Sequence, residues 1–191
     1  LTLAAGASAL PAPAVSQGLR RLKMVTTWPR DFPGLGSGAQ RLADAITRMS
    51  AGRLEVKVYA AGELVAPFES FGAVSGGAAD LYHAFEHYWQ NRSRAFNFFA
   101  AVPYGLTAGE LAAWIYHGGG QELWDELSAG FNIKPFQAGN TGAQLGGWFN
   151  KQINGIDEFK GLKIRVPGLG GEVLERDGAA SLPLAGGTLF P

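Results

Sequence analysis

The chain has 191 residues, 47% of them hydrophobic, with 16 basic and 16 acidic side chains and a formal net charge of zero. That length suits one good domain or most of two small lobes. Apart from Arg20, Arg21 and Lys23 the basic residues are scattered, which argues against a nucleic-acid partner, and the lack of cysteine excludes disulfides, thiolate catalysis and cysteine-based metal sites.

Residues 1–18 read as the remnant of an export signal. Leu1–Val15 is small, apolar and uncharged, and is too short for the ~20 residues that a bilayer span requires. Ala12-Pro13-Ala14 or Ala14-Val15-Ser16 offers a small-x-small cleavage pattern. The destination implied is the bacterial periplasm.

Leu22–Trp28 reads as a first strand closed by Pro29. The loop Asp31–Gly38 lacks the Lys-Ser/Thr pair and the glycine spacing of a nucleotide site. Apolar positions 39, 42, 46 and 49 then predict a helix over Ala39–Met49, stopped by Gly52. Leu54, Val56 and Val58 alternate with charged residues as a strand with one wet face. A second helix over Pro67–Val74 and a third strand over Asp80–Phe85 complete a strand-helix-strand-helix-strand order, the signature of a parallel α/β sheet. Ligands bind such sheets at the carboxyl ends of the strands, which places Trp28 and Tyr88-Trp89 near a cleft.

Thr107-Ala108-Gly109-Glu110 has capping-box form and predicts a helix through Tyr116, and another runs from the glycines at 118–120 to Leu127. Phe96, Phe98 and Phe99 read as core. Lys134–Ala138 and Gln144–Phe149 are expected as strands, the latter crossing into a second lobe. A short helix over Asn154–Lys160 ends at Gly161. Leu162–Val166 is expected as a strand ended by Pro167-Gly168, a helix begins at Glu172, and Leu182-Pro183-Leu184 starts a last strand. Arg165, at the end of its strand, presents a planar fork suited to a carboxylate. Its alternative role is a surface pair with a nearby Asp or Glu.

His83-Ala84-Phe85-Glu86-His87 matches the H-x-x-E-H pattern of inverted zinc peptidases, in which two histidines one helical turn apart share Zn²⁺ and the glutamate acts as general base. A strand through Phe85 would separate that pair. A serine hydrolase can also be assembled from His117-Gly118-Gly119-Gly120 and Ser75, but the glycine loop follows the nucleophile instead of preceding it.

The runs G161-L-K-I-R-V-P-G-L-G-G-E-V-L174 and N140-T-G-A-Q-L-G-G-W-F149, supported by W28-P-R, Y88-W89, F96-N-F-F-A-A-V-P-Y-G-L106 and H117-G-G-G-Q-E-L-W124, resemble the solute-binding proteins of tripartite ATP-independent periplasmic (TRAP) transporters. The wording T-G-x-Q-x-G-G-W-F resembles the branch that binds 2-oxo acids such as pyruvate. The resemblance covers about Leu22 to Pro191. It implies a type II-like periplasmic binding protein with two α/β lobes joined by crossing strands, here a first lobe over 19–140 and, over 141–191, a crossing strand and the start of a second, truncated lobe.

It further implies that the protein is not an enzyme, that Arg165 holds the ligand carboxylate, and that Gln144 helps to hold a cation, sodium or another, that bridges to it. Read from residue type alone, Gln144 could equally pair with backbone on a strand face. Tyr88, whose hydroxyl could bond the keto oxygen, and Trp28 would wall the pocket, with Trp148 packing. TRAP membrane subunits are the implied partners. In some full-length relatives a long late helix, not found in this sequence, builds a homodimer. Arg94 stands where the family tends to have proline.

Overall fold

The computed structural model describes residues 18–189. The export-signal reading of residues 1–18 therefore lies almost wholly outside the described residues. Strand β1 (Arg20–Thr26) begins with exposed charged residues and ends in the buried run Met24-Val25-Thr26. That switch follows from its place: β1 is the middle strand of a three-stranded parallel sheet of order β2-β1-β3, flanked by β2 (Leu54–Tyr59) and β3 (Leu81–His83). β2 pairs along it from Arg20↔Leu54 to Val25↔Tyr59, and β3 pairs only with its end, from Met24↔Leu81 to Thr26↔His83. Two walls therefore cover β1 only where its sequence turns apolar.

Helix α1 (Leu35–Met49) begins one turn before the expected Ala39. Gly36 allows this early start, because a Cβ there would lie 2.6 Å from the carbonyl oxygen of Pro29. Ala39 and Ala43, four apart on one face, are fully buried against Met24 and Val56. A 3₁₀ turn (Pro67–Glu69) leads into α2 (Ser70–Ser75). After β3 come two more 3₁₀ turns, Glu86–Trp89 and Arg94–Phe99, which bury Trp89 and Phe96 against Phe71.

The predicted capping box is present in full at the start of α3 (Ala108–His117): the Thr107 side chain accepts from the Glu110 N–H, and Glu110 accepts from the Thr107 N–H. α4 (Gly120–Ala129) packs back on α3. Phe99 stacks on Trp114 and Trp124, with centroids 5.5 and 5.2 Å away. Phe98, expected in the core, is 58% exposed, because the 3₁₀ turn sends Phe96 and Phe99 inward, three residues apart, and turns Phe98 outward.

Beyond α4 the structure departs further from expectation. Neither Lys134–Ala138 nor Gln144–Phe149 forms a strand. A strand exists through a partner's ladder, and neither run lies beside a strand of either sheet among the described residues. Trp148, expected to pack, is 89% exposed in consequence. The segment Asn154–Lys160 holds a 3₁₀ turn over Ile156–Phe159, and Gly161 leaves it with φ +74°.

β4 is only Lys163–Ile164, and pairs in parallel with β5 (Ala180–Ser181). The last strand thus precedes Leu182-Pro183-Leu184. The Leu182 N–H still bonds the Ile164 carbonyl at 2.9 Å, but Pro183 has no N–H to continue the ladder. Between them, α5 (Leu169–Arg176) starts three residues before the expected Glu172. Among the described residues no helix is long and apolar enough to cross a membrane.

Candidate functional site

Arg165 follows β4 directly and is half-buried. Its Nε donates to the Leu184 carbonyl at 2.8 Å, and its Nη2 donates to the Tyr88 hydroxyl at 3.4 Å. No ion pair among the described residues involves Arg165, so the surface-pair role does not apply there. With Nε committed to a backbone carbonyl, the part of the fork left to face a ligand is the Nη1/Nη2 end.

Tyr88 comes from a distant stretch of chain, the 3₁₀ turn that follows β3. Its ring is held by Phe68 at 5.1 Å and His87 at 4.8 Å, with Trp28 behind at 6.3 Å. Burial pushes the phenol above its ordinary value, and the hydrogen bond and charge of Arg165 oppose that. The hydroxyl therefore stays protonated, accepting from Arg165 while keeping its own proton to donate.

Trp28 is 3% exposed, and its Nε1 donates to His83 Nδ1 at 2.7 Å. This bond needs a neutral imidazole with its proton on Nε2, and burial lowers the His83 pKa in the same direction. Trp28 thus backs Tyr88 from within. The cleft beside Tyr88 has a volume of about 350 Å³ and is lined by Phe68, His87, Tyr88, Pro167, Gly168 and Pro183 among others.

Gln144 lies apart from these groups: it is exposed, its Nε2 donates to Thr141 Oγ1 at 2.8 Å, and no hydrogen bond among the described residues joins it to Arg165 or Tyr88. The structure thus brings Arg165, Tyr88 and Trp28 together and leaves Gln144 outside.

The H-x-x-E-H pattern does not form a zinc site. His83 ends a strand and is occupied by Trp28, while Glu86 and His87 sit on a 3₁₀ turn instead of an α-helix. Glu86 Oε1 accepts from the Tyr82 hydroxyl at 2.7 Å. Among the described residues no group of three or more His, Asp or Glu could hold a metal ion. The hydrolase arrangement fails as well, since Ser75 Oγ donates to the Phe131 carbonyl at 2.7 Å.

Sequence reasoning missed the part these same residues play beside the site. Glu86 is 7% exposed, and burial pushes its carboxyl up to about 7, with the Tyr82 hydrogen bond opposing. His87 lines the cleft with a buried, unpartnered Nδ1, and burial, reinforced by the Arg165 charge, pushes it down to about 4. Asn97, fully buried, accepts from the Leu169 N–H at 3.2 Å. Its one sequence signal is a polar residue inside the aromatic run F96-N-F-F99.

The family model of the bacterial extracellular solute-binding proteins, family 7, matches residues 24–191. A monocarboxylate 2-oxoacid-binding periplasmic protein of Nostoc sp. (strain PCC 7120) is 41% identical over 170 residues, which are 89% of this chain and 46% of that protein. Two crystal structures of TRAP periplasmic solute binding proteins are each 37% identical with a TM-score of 0.86, over 90% of this chain and 52% of theirs. One, from Pseudoalteromonas atlantica T6c, has bound sodium and pyruvate, and the other, from Colwellia psychrerythraea, has bound calcium and pyruvate. The chain spans about half the length of these relatives.

Proposed function

The chain belongs to family 7 of the bacterial extracellular solute-binding proteins, the TRAP type, and on that premise we propose that it binds a small 2-oxo monocarboxylate such as pyruvate in the periplasm for TRAP membrane subunits. The observation that carries this reading is the half-buried Arg165 fork, held by Leu184 and Tyr88 and not paired with any described carboxylate. A carboxylate docks on the Nη1/Nη2 end through two charge-assisted bonds, and the Tyr88 hydroxyl donates to the neighbouring keto oxygen. Trp28 keeps Tyr88 in place. Domain closure around the ligand excludes water, which strengthens both contacts. The protein then performs recognition without bond chemistry.

Two relatives hold sodium or calcium with pyruvate, and the donor set here suits such a hard, oxygen-seeking cation in one respect. Gln144 spends its amide nitrogen on Thr141, which leaves its carbonyl oxygen as a neutral ligand. When bound, the cation would supply a Lewis-acidic contact for the ligand's oxygens, with the Gln144 carbonyl reaching it once the lobes close around the ligand. We take residues 19–140 as the lobe that carries Tyr88 and Trp28, and 141–191 as the part that carries Gln144 and Arg165.

A thermal melt of the purified chain with pyruvate and sodium, pyruvate and calcium, and each component alone tests this reading. A ligand that binds only the folded state raises its stability, so a rise in Tm that needs pyruvate, and grows with one of the cations, is expected. A cooperative melt unmoved by any combination would overturn it.

A further inference from the structure

The turn that presents Arg165 has little regular structure of its own. β4 and β5 are two residues each, and the residue that caps α5, Gly168, offers its first turn no side-chain cap. Leading N–H groups of a helix need partners from elsewhere. Here the Leu169 N–H finds one 72 residues away, in Asn97 Oδ1 at 3.2 Å.

Asn97 is fixed on all sides. It is completely buried, and its Nδ2 donates to the Arg94 carbonyl at 3.0 Å and to Gln90 Oε1 at 3.2 Å, which leaves Oδ1 to Leu169. Gly168 is pressed against the same group: at φ +72°, a Cβ on it would sit 2.9 Å from Asn97 Oδ1 and 3.1 Å from His87 Cβ. Gln90 directly follows the 3₁₀ turn that carries Tyr88. A single amide therefore ties the Tyr88 turn to the Arg165–Leu169 turn, and those turns hold the two groups meant to grip the carboxylate.

We propose that Asn97 is a positioning residue of the carboxylate site, holding the Arg165 turn in register with Tyr88 before any ligand arrives. This rests on the binding reading above, and it assigns the preorganisation of the site to a residue that faces no ligand. A buried amide that is lost or left unmatched costs enough to loosen a turn so short of other bonds.

Two variants disturb the same contact from opposite sides. Asn97→Ala removes the acceptor. Gly168→Ala leaves both partners in place but sets a Cβ 2.9 Å from Asn97 Oδ1, straining the contact from the other side, so it serves where Asn97→Ala folds poorly. Hydrogen exchange of the full chain and pyruvate titration with sodium are read on both, and Asn97→Ala is repeated in an Arg165→Ala background.

Amides at 165–169 should exchange faster in Asn97→Ala while β1 stays protected, and pyruvate should bind about tenfold more weakly in both variants. In the Arg165→Ala background the Asn97 change should have almost no further effect on affinity. Unchanged exchange at 165–169 would overturn the proposal whatever the ligand does, as would a loosened turn with unchanged affinity or an undiminished penalty without Arg165. If the turn loosens but the unsubstituted chain ignores pyruvate, the positioning role stands and the ligand assignment fails.

Discussion

The three-stranded sheet with α1 and the short β4–β5 pair with α5 are both parallel α/β units, yet they are held by different forces. The first is closed by apolar packing, with Met24, Ala39, Ala43 and Val56 in one buried cluster. The second is held largely by polar contacts, two of them reaching back along the chain, Asn97 to Leu169 and Arg94 to both oxygens of Glu172 at 3.0 and 3.2 Å, and two local, Ser181 Oγ to the Val166 carbonyl at 2.8 Å and Arg165 to the Leu184 carbonyl. Hydrophobic burial is strong and indifferent to direction, whereas these bonds are weaker and demand geometry. The proposed site takes its aromatic wall from beside the first and its arginine from the second.

The contrast breaks most plainly at the sheet. Met24→Ala empties a site 1% exposed and should cost ~2–5 kcal/mol in denaturant unfolding. A loss near zero would mean that the sheet does not anchor the fold.

Next in size is the buried Glu86. Held at about 7, it keeps a proton that the unfolded chain releases above about pH 4.5, so its stabilising share falls as pH rises through that window. His87, held at about 4, works the other way: the unfolded chain takes up a proton below about pH 6.5, and stability falls as pH drops toward 4. Between these limits the two slopes oppose each other. Glu86→Gln keeps an oxygen for Tyr82 and should raise stability above pH 7 by up to ~3 kcal/mol. It should also uncover the acid-side fall due to His87. A Tm-versus-pH curve parallel to that of the unsubstituted chain would contradict the Glu86 assignment, and a Glu86→Gln curve that stays flat as pH drops from about 6.5 toward 4 would contradict that of His87.

Gly168→Ala sharpens the comparison, since it forces a side chain against Asn97 at φ +72° and ψ −155°, a backbone region that is essentially glycine's alone, at a cost of ~1–3 kcal/mol. It should lower pyruvate affinity more, in proportion, than a substitution of equal cost in the sheet. Smallest is Arg94→Ala. Arg94 is largely exposed, so its loss should cost under ~1 kcal/mol and shrink further in salt.

The same division governs what could be read from residues alone. Leu54–Tyr59, the α1 stripe and the Thr107 capping box are written in local period and chemistry, and the structure has them within a few residues. The nearness of Trp28, Tyr88 and Arg165 followed from the family resemblance, whereas a strand end alone left Arg165 equally open to a surface ion pair. Lys134–Ala138 and Gln144–Phe149 have strand-like composition but no partner among the described residues, and composition does not report a missing neighbour. Asn97 and Glu86 stayed hidden for a related reason. Their roles come from contacts made by folding, Leu169 at a separation of 72 residues and a burial that the local pattern of Glu86 does not announce.

The most direct measurement is calorimetric titration of pyruvate, in sodium, into the chain and into Arg165→Lys. Lysine keeps the charge but loses the planar fork, and complete loss of the Arg165 contact would cost ~2–5 kcal/mol if the pair is desolvated. We predict that Arg165→Lys binds at least tenfold more weakly while it still melts cooperatively, with a modest drop in melting temperature from the lost bond to the Leu184 carbonyl. Equal affinity for the two proteins would contradict the carboxylate role of Arg165, and with it the central claim.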